Sequence, residues 1–78
     1  MSNKVAFDYS ALRGRIVQYY GTIEKFADAI PMGRVTLYLK LQNKRPFTSD
    51  NIYKISKLLN MASEEINIYF FTEKSLES

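Results

Sequence analysis

The stretch "AIPMGRVTLYLKLQNKRPF", residues 29–47, decides how this chain is read. Pro31 and Gly33 break an apolar pattern, and a helix-like run with outward apolar residues follows. Pro31 disfavours helical geometry at Ile30 and has no N–H to donate to the turn before it, so a helix ends there. Gly33 is an acceptable N-cap for the next helix, and Met32 and Leu37 occupy the two positions of a hydrophobic staple. That next helix is predicted over about 34–42. Leu37 and Leu41, at i and i+4, form its inward row, while Arg34, Val35, Tyr38 and Leu39 point elsewhere. Pro46 bars further helix, so NKRPFT, residues 43–48, reads as a loop.

Upstream, Thr22 caps a short helix of about 22–30, in which Ile23, Phe26, Ala27 and Ile30 fall at i, i+3, i+4 and i+7. Before it, Asp8 is a good N-cap for a helix of about 9–20. Tyr9, Leu12, Ile16 and Tyr19 or Tyr20 recur there at helical spacing, Gly21 supplies a left-handed end, and Arg13 and Arg15 belong on the wetter side. Downstream, Thr48 or Ser49 caps a fourth helix with Ile52, Ile55, Leu58 and Leu59 as its stripe and Asn60 as its terminator. Ser63 caps a fifth, with Glu64 and Glu65 in its first turn, where the helix dipole favours anions. Ile66, Tyr69 and Phe70 continue inward, and no strand alternation or repeat is visible. The fold class is all-α, five short helices in one domain over residues 1–73, with 74–78 as a frayed polar tail.

Composition narrows the function. The 78 residues are 46 % hydrophobic and 14 % aromatic, too apolar for a disordered chain and enough for one small core. With no cysteine and no histidine, disulfides, thiolate metal sites, a cysteine nucleophile and the commonest general base and metal ligand are excluded, so neither an enzyme nor a metal or cofactor protein is expected. No apolar run approaches the ~20 residues of a membrane span, and the first residues lack a signal-peptide core. A cytoplasmic protein without membrane association is expected. The net charge of +3 is unevenly placed. Residues 34–57 carry Arg34, Lys40, Lys44, Arg45, Lys54 and Lys57 against Asp50 alone, whereas residues 58–78 are acidic.

Two short helices joined by a glycine-containing three-residue turn, the second followed by a basic loop, describe a helix-turn-helix. A major groove admits one α-helix, whose early residues reach base edges. Arg34 is then a candidate for a guanine and Tyr38 for the groove floor. Val35 either meets a thymine methyl or fills the rim of the core. Leu39 either joins these base contacts or packs against the loop near Phe47. Lys40, Asn43, Lys44 and Arg45, with Thr22 and Thr36, are the phosphate candidates that would set the register. Tyr69, Phe70 and Phe71 either close the core over the first helix or form a dimer interface.

The run "GTIEKFADAIPMGRVTLYLKLQNKRPFTSDNIYKISKLLNMASEEINIYFF" resembles the Cro/repressor-type helix-turn-helix proteins of temperate phages, especially small regulators of phages and prophages in low-GC Gram-positive bacteria. The likeness spans residues 5–73, with Ala27 at the shared alanine of the second helix and Leu37 at the shared inward aliphatic of the third. It implies a lambda-repressor-like DNA-binding domain and a transcriptional regulator acting in a lysis–lysogeny choice. The implied partner is a double-stranded, palindromic DNA operator, bound by a homodimer formed at least on DNA. Three positions depart from that family's habit: Pro31 stands where it usually has glycine, Gly33 where it has serine or threonine, and Ile23 where it often has glutamine. The alternative reading is a protein-interaction module, such as an antirepressor that binds another phage regulator.

Overall fold

The chain is described over residues 6–74 by a computed structural model. Its elements are α1 (Ser10–Tyr20), α2 (Ile23–Ala29), α3 (Arg34–Leu41), α4 (Ser49–Leu58) and α5 (Ile66–Phe70), the last entered through a 3-10 turn, Ser63–Glu65. The protein is all-helical, and none of its described helices is long and apolar enough to cross a membrane. The expected tail at 74–78 lies outside the described residues apart from Lys74.

Local chemistry sets most boundaries. Thr22 accepts from the Lys25 N–H at 3.1 Å. Thr48 and Asn51 form a reciprocal capping box, each side chain bonded to the other's backbone N–H at 3.1 and 3.0 Å. At α1 the cap is shifted by one residue from expectation. Tyr9 takes the N-cap position, and Asp8 instead accepts from the Ser10 N–H, so its carboxylate serves the first turn from one residue further out. α3 and α4 end in the same way. In each, an asparagine adopts a left-handed backbone, Asn43 at φ 64° and Asn60 at φ 55°. The following N–H then reaches back five residues, Lys44 to Leu39 O and Met61 to Ser56 O, both at 2.9 Å.

α1, α2, α3, α4 and α5 close on one core of Leu12, Ile16, Phe26, Ala27, Ile30, Leu37, Leu41, Ile55, Leu59 and Phe70, with Tyr9 at its edge. Tyr9, Phe47 and Phe70 meet edge to face, with centroids 5.2 and 5.3 Å apart. Phe47 therefore comes from the loop to complete the core.

Two features depart from the expected picture. The two limits of the described segment pair as a small antiparallel bridge between Phe7 and Glu73, with Asp8 N donating to Thr72 O at 2.8 Å and Lys74 N to Ala6 O at 2.9 Å. Two such bonds lack the alternation a strand would show, so no period in the sequence announces them. Arg15 is not on a wet face. Its guanidinium donates to Leu59 O at 3.0 Å, Asn60 O at 2.8 Å and Tyr69 Oη at 3.0 Å, and lies 3.6 Å from the Glu65 carboxylate. Arginine is suited to this because its planar fork holds several donors in fixed directions. Here they satisfy carbonyls at the end of α4 that have no partner within the helix.

Candidate nucleic-acid interface

The turn between α2 and α3 shows how the proline-containing linker works. Ile30 is extended, at φ −113° and ψ 147°, as expected of a residue before proline. Met32 N donates to Ile30 O at 2.8 Å, closing a three-residue turn around Pro31. Gly33 follows at φ 87° and ψ 154°, a conformation essentially reserved for glycine, and its carbonyl accepts the first bond of α3 from Leu37 N at 3.1 Å. A serine or threonine would be strained at this position. The backbone at residue 33 therefore calls for glycine, and the absence of a side-chain cap follows from it.

α3 is held by Leu37 and Leu41, both buried, and this rotation aims its other side at solvent. At about 100° per residue, Arg34, Tyr38, Val35 and Leu39 share an arc of about 140°. Val35 is the barest of them, 74 % exposed, so it does not fill the rim of the core. Leu39 and Thr36 are half-buried, and Thr22 is exposed at the cap of α2.

The two polar residues of the arc are already partnered. The Arg34 guanidinium donates through Nε to Asp28 Oδ1 at 3.3 Å and through Nη2 to Asp28 Oδ2 at 3.0 Å. The Tyr38 hydroxyl donates to a Glu24 carboxylate oxygen. Glu24 and Asp28 are one turn apart on α2, as Arg34 and Tyr38 are on α3, so the helices are joined by two rungs of a ladder. The rungs shift both sides' protonation. The Arg34 hydrogen bonds hold the Asp28 carboxyl below its ordinary range, and the Tyr38 hydroxyl does the same for Glu24. In return, Glu24 pushes the Tyr38 phenol up, and Asp28 holds Arg34 more firmly protonated. Sequence reading missed both acids. Their i, i+4 spacing on the exposed side of α2 was visible, but its meaning depends on the angle at which α3 crosses.

Several expected phosphate ligands have other duties. Lys40 is buried, and its ammonium donates to Pro46 O at 2.9 Å, fastening the loop back onto α3. The loop carbonyl lies within reach of the lysine stem, so the charge turns inward rather than to solvent. Asn43 clasps the N-terminal segment in both directions, accepting from Phe7 N and donating to Phe7 O, each at 2.9 Å. Its side chain is a substitute strand partner, not a free amide. Lys54 pairs with Asp50 at 3.1 Å, and Lys57 lies 5.3 Å from the centroid of the Tyr53 ring. Lys44 and Arg45 remain exposed just past the end of α3. The +5 segment of the sequence thus presents fewer free cations than its formula suggests.

The terminal aromatics divide. Phe70 is 1 % exposed and belongs to the core, which removes it from any interface. Tyr69 is half-buried beneath Arg15, while Phe71 and Ile68 stay exposed, with Phe7 meeting Phe71 edge to face at 5.7 Å. Among the described residues, no group of three histidine, cysteine, aspartate or glutamate side chains is placed to hold a metal ion.

The fold defines a small all-helical protein in which α3 turns Arg34 and Val35 to solvent. Residues 5–73 match the family described as "Protein of unknown function (DUF739)", and the chain belongs to that family. No curated protein matches it.

Proposed function

We propose that this protein is a sequence-specific DNA-binding transcriptional regulator without catalytic activity, of the Cro or repressor type, that reads the major groove with α3. The observation that carries the proposal is the arc of exposed Arg34 and Val35 and half-buried Tyr38 on a helix anchored on its other side by buried Leu37 and Leu41. A recognition helix needs this division, because the residues that read bases must have no core duty. Residues 23–41 supply the two short helices and sharp turn of a helix-turn-helix, and Lys44 and Arg45 supply phosphate contacts beside it. Val35 offers a bare aliphatic surface of the kind that meets a thymine methyl.

Lys40 and Asn43 are left out of the proposed contact set, since each is held by the fold. The remaining set is Arg34, Val35, Tyr38 and Leu39 for bases and Thr22, Thr36, Lys44 and Arg45 for the backbone. The test is a fluorescence-anisotropy titration of the whole chain on duplex DNA flanking its own gene, across a range of salt. Sequence-dependent binding is expected, with log K falling against log salt at about −0.9 per phosphate neutralised. Binding indifferent to both sequence and salt would sink the proposal.

A second reading, a module that binds another regulator, is favoured by one observation. Glu24 and Asp28 place two carboxylates beside the arc, which weakens its pull on phosphates. Charge reversal at Arg34 and Lys44 separates the readings, because it abolishes DNA binding but leaves capture of the neighbouring repressor intact.

A further inference from the structure

The two carboxylates of α2 do more than tie α2 to α3. We infer that Asp28 and Glu24 are positioning residues that fix what Arg34 and Tyr38 recognise: a guanine at Arg34 and an exocyclic base amine, of adenine or cytosine, at Tyr38. This rests on the DNA-reading function proposed above and gives it a chemical code.

The code follows from which hydrogen-bonding groups remain free. Asp28 takes the side edge of the Arg34 fork, Nε and one Nη2 hydrogen. The end edge, formed by Nη1 and the second Nη2 hydrogen, is left for another ligand. An end edge presents two parallel donors, which match guanine O6 and N7 in the major groove. Binding the side edge also fixes the direction of the fork, so less freedom is lost on contact. The paired carboxylate cancels most of the charge that would otherwise draw Arg34 onto any phosphate. At Tyr38 the hydroxyl proton is committed to Glu24, so the oxygen has only lone pairs to offer. Among major-groove groups its partners are then the N6 amine of adenine and the N4 amine of cytosine. Val35 lies between them in the helical sequence and carries no polar group.

The simpler role for the two rungs is to set the crossing angle of α2 and α3. That role predicts a change in stability with no change in base preference, so base preference is the deciding readout. The experiment selects binding sites from randomised 20-base-pair duplexes with the full wild-type chain, Asp28→Asn, Asp28→Glu, Glu24→Gln and Arg34→Lys. Wild type is expected to enrich guanine at one position of each half-site, and 7-deazaguanine there, which lacks N7, should weaken binding. Asp28→Asn should lose most of that preference, worth about 5- to 150-fold, and steepen the salt slope on unrelated duplex by about one phosphate. Asp28→Glu should restore both. Glu24→Gln should relax the adenine-or-cytosine position alone. Arg34→Lys keeps the charge but has no fork, so it should lose guanine preference, and it carries the test if Asp28→Asn does not fold.

A guanine preference and salt slope unchanged in Asp28→Asn would overturn the inference and leave the DNA-reading function standing. A wild-type motif without guanine would do the same. No enriched motif from wild type would overturn the function itself, and the inference with it.

Discussion

Replacing Arg15 with methionine tests the most consequential contact that the sequence did not announce. Methionine keeps the unbranched stem and removes every donor. Three hydrogen bonds are lost, to Leu59 O, Asn60 O and Tyr69 Oη, together with the 3.6 Å ion pair to Glu65. They are not equal. Leu59 is fully buried, so its carbonyl is left with a desolvated lone pair at a cost of about 1–3 kcal/mol. Asn60 is exposed and Tyr69 half-buried, so water replaces the guanidinium there, and each loss is about 0.5–1 kcal/mol. The partly exposed ion pair adds about 0–1 kcal/mol. The sum is about 2–6 kcal/mol, a large share of the roughly 4–12 kcal/mol expected for a domain of this length. Urea unfolding followed by circular dichroism measures it, with Arg13→Met as the control. Arg13 lies two residues away on α1 and its guanidinium has no hydrogen bond or ion pair among the described residues, so its loss should stay within about 0.5 kcal/mol. If Arg15→Met costs less than about 1 kcal/mol, or no more than the control, the guanidinium is not joining α1 to the end of α4.

Other substitutions probe the turn, the clasp and the ladder. Gly33→Ala should destabilise by about 1–3 kcal/mol because of its φ of 87°, although a methyl group meets nothing there; Gly14→Ala, also into open space but within α1, should stabilise by about 0.5–1 kcal/mol in the same assay. Asn43→Gly keeps the left-handed turn but loses both bonds to Phe7, costing about 1–3 kcal/mol, and Asn43→Ala should cost about 1 kcal/mol more because alanine resists that backbone. Hydrogen exchange at Asp8 and Lys74 should quicken in both, because the clasp on Phe7 steadies its bridge to Glu73. The ladder also sets a pH dependence. Asp28 and Glu24 titrate lower in the folded protein than in an unfolded chain, so their contribution is complete above the unfolded values and fades as pH falls through the depressed folded ones. Stability measured by urea should hold down to about pH 5 and then decline, more gently in the Asp28→Asn, Glu24→Gln double variant; equal slopes in the two proteins would refute the pairing.

The helical stripes could be read directly because they depend only on spacing. Phe26, Ala27 and Ile30, Leu37 and Leu41, and Ile55 and Leu59 all lie in the core where the 3.6-residue period puts them. The stop at Pro31 is equally local, since the proline ring acts on its own neighbours. Asn43 and Asn60 show the limit of such reading. Both end a helix in the same left-handed turn, yet only Asn60 was read as a terminator. The basic surroundings of Asn43 suggested a phosphate contact, and its partner, Phe7, lies 36 positions away in the chain.

Polar side chains are where sequence and structure part. Arg15, Lys40 and Arg34 are chemically ordinary in the sequence, but the fold gives them a helix end, a loop carbonyl and a carboxylate on the neighbouring helix. Apolar burial is non-directional, so a periodic pattern states which face turns inward without naming what it meets. A hydrogen bond requires particular atoms at about 3 Å, and long side chains can reach several different ones. The sequence by itself therefore determined the helices, their inward rows and the break before α3. Only the tertiary structure decided which charges face solvent, that Phe70 is core, and that the polar groups of α3 stand against Glu24 and Asp28. Those choices depend on how helices distant in sequence cross, and directional bonds form only after that crossing is set.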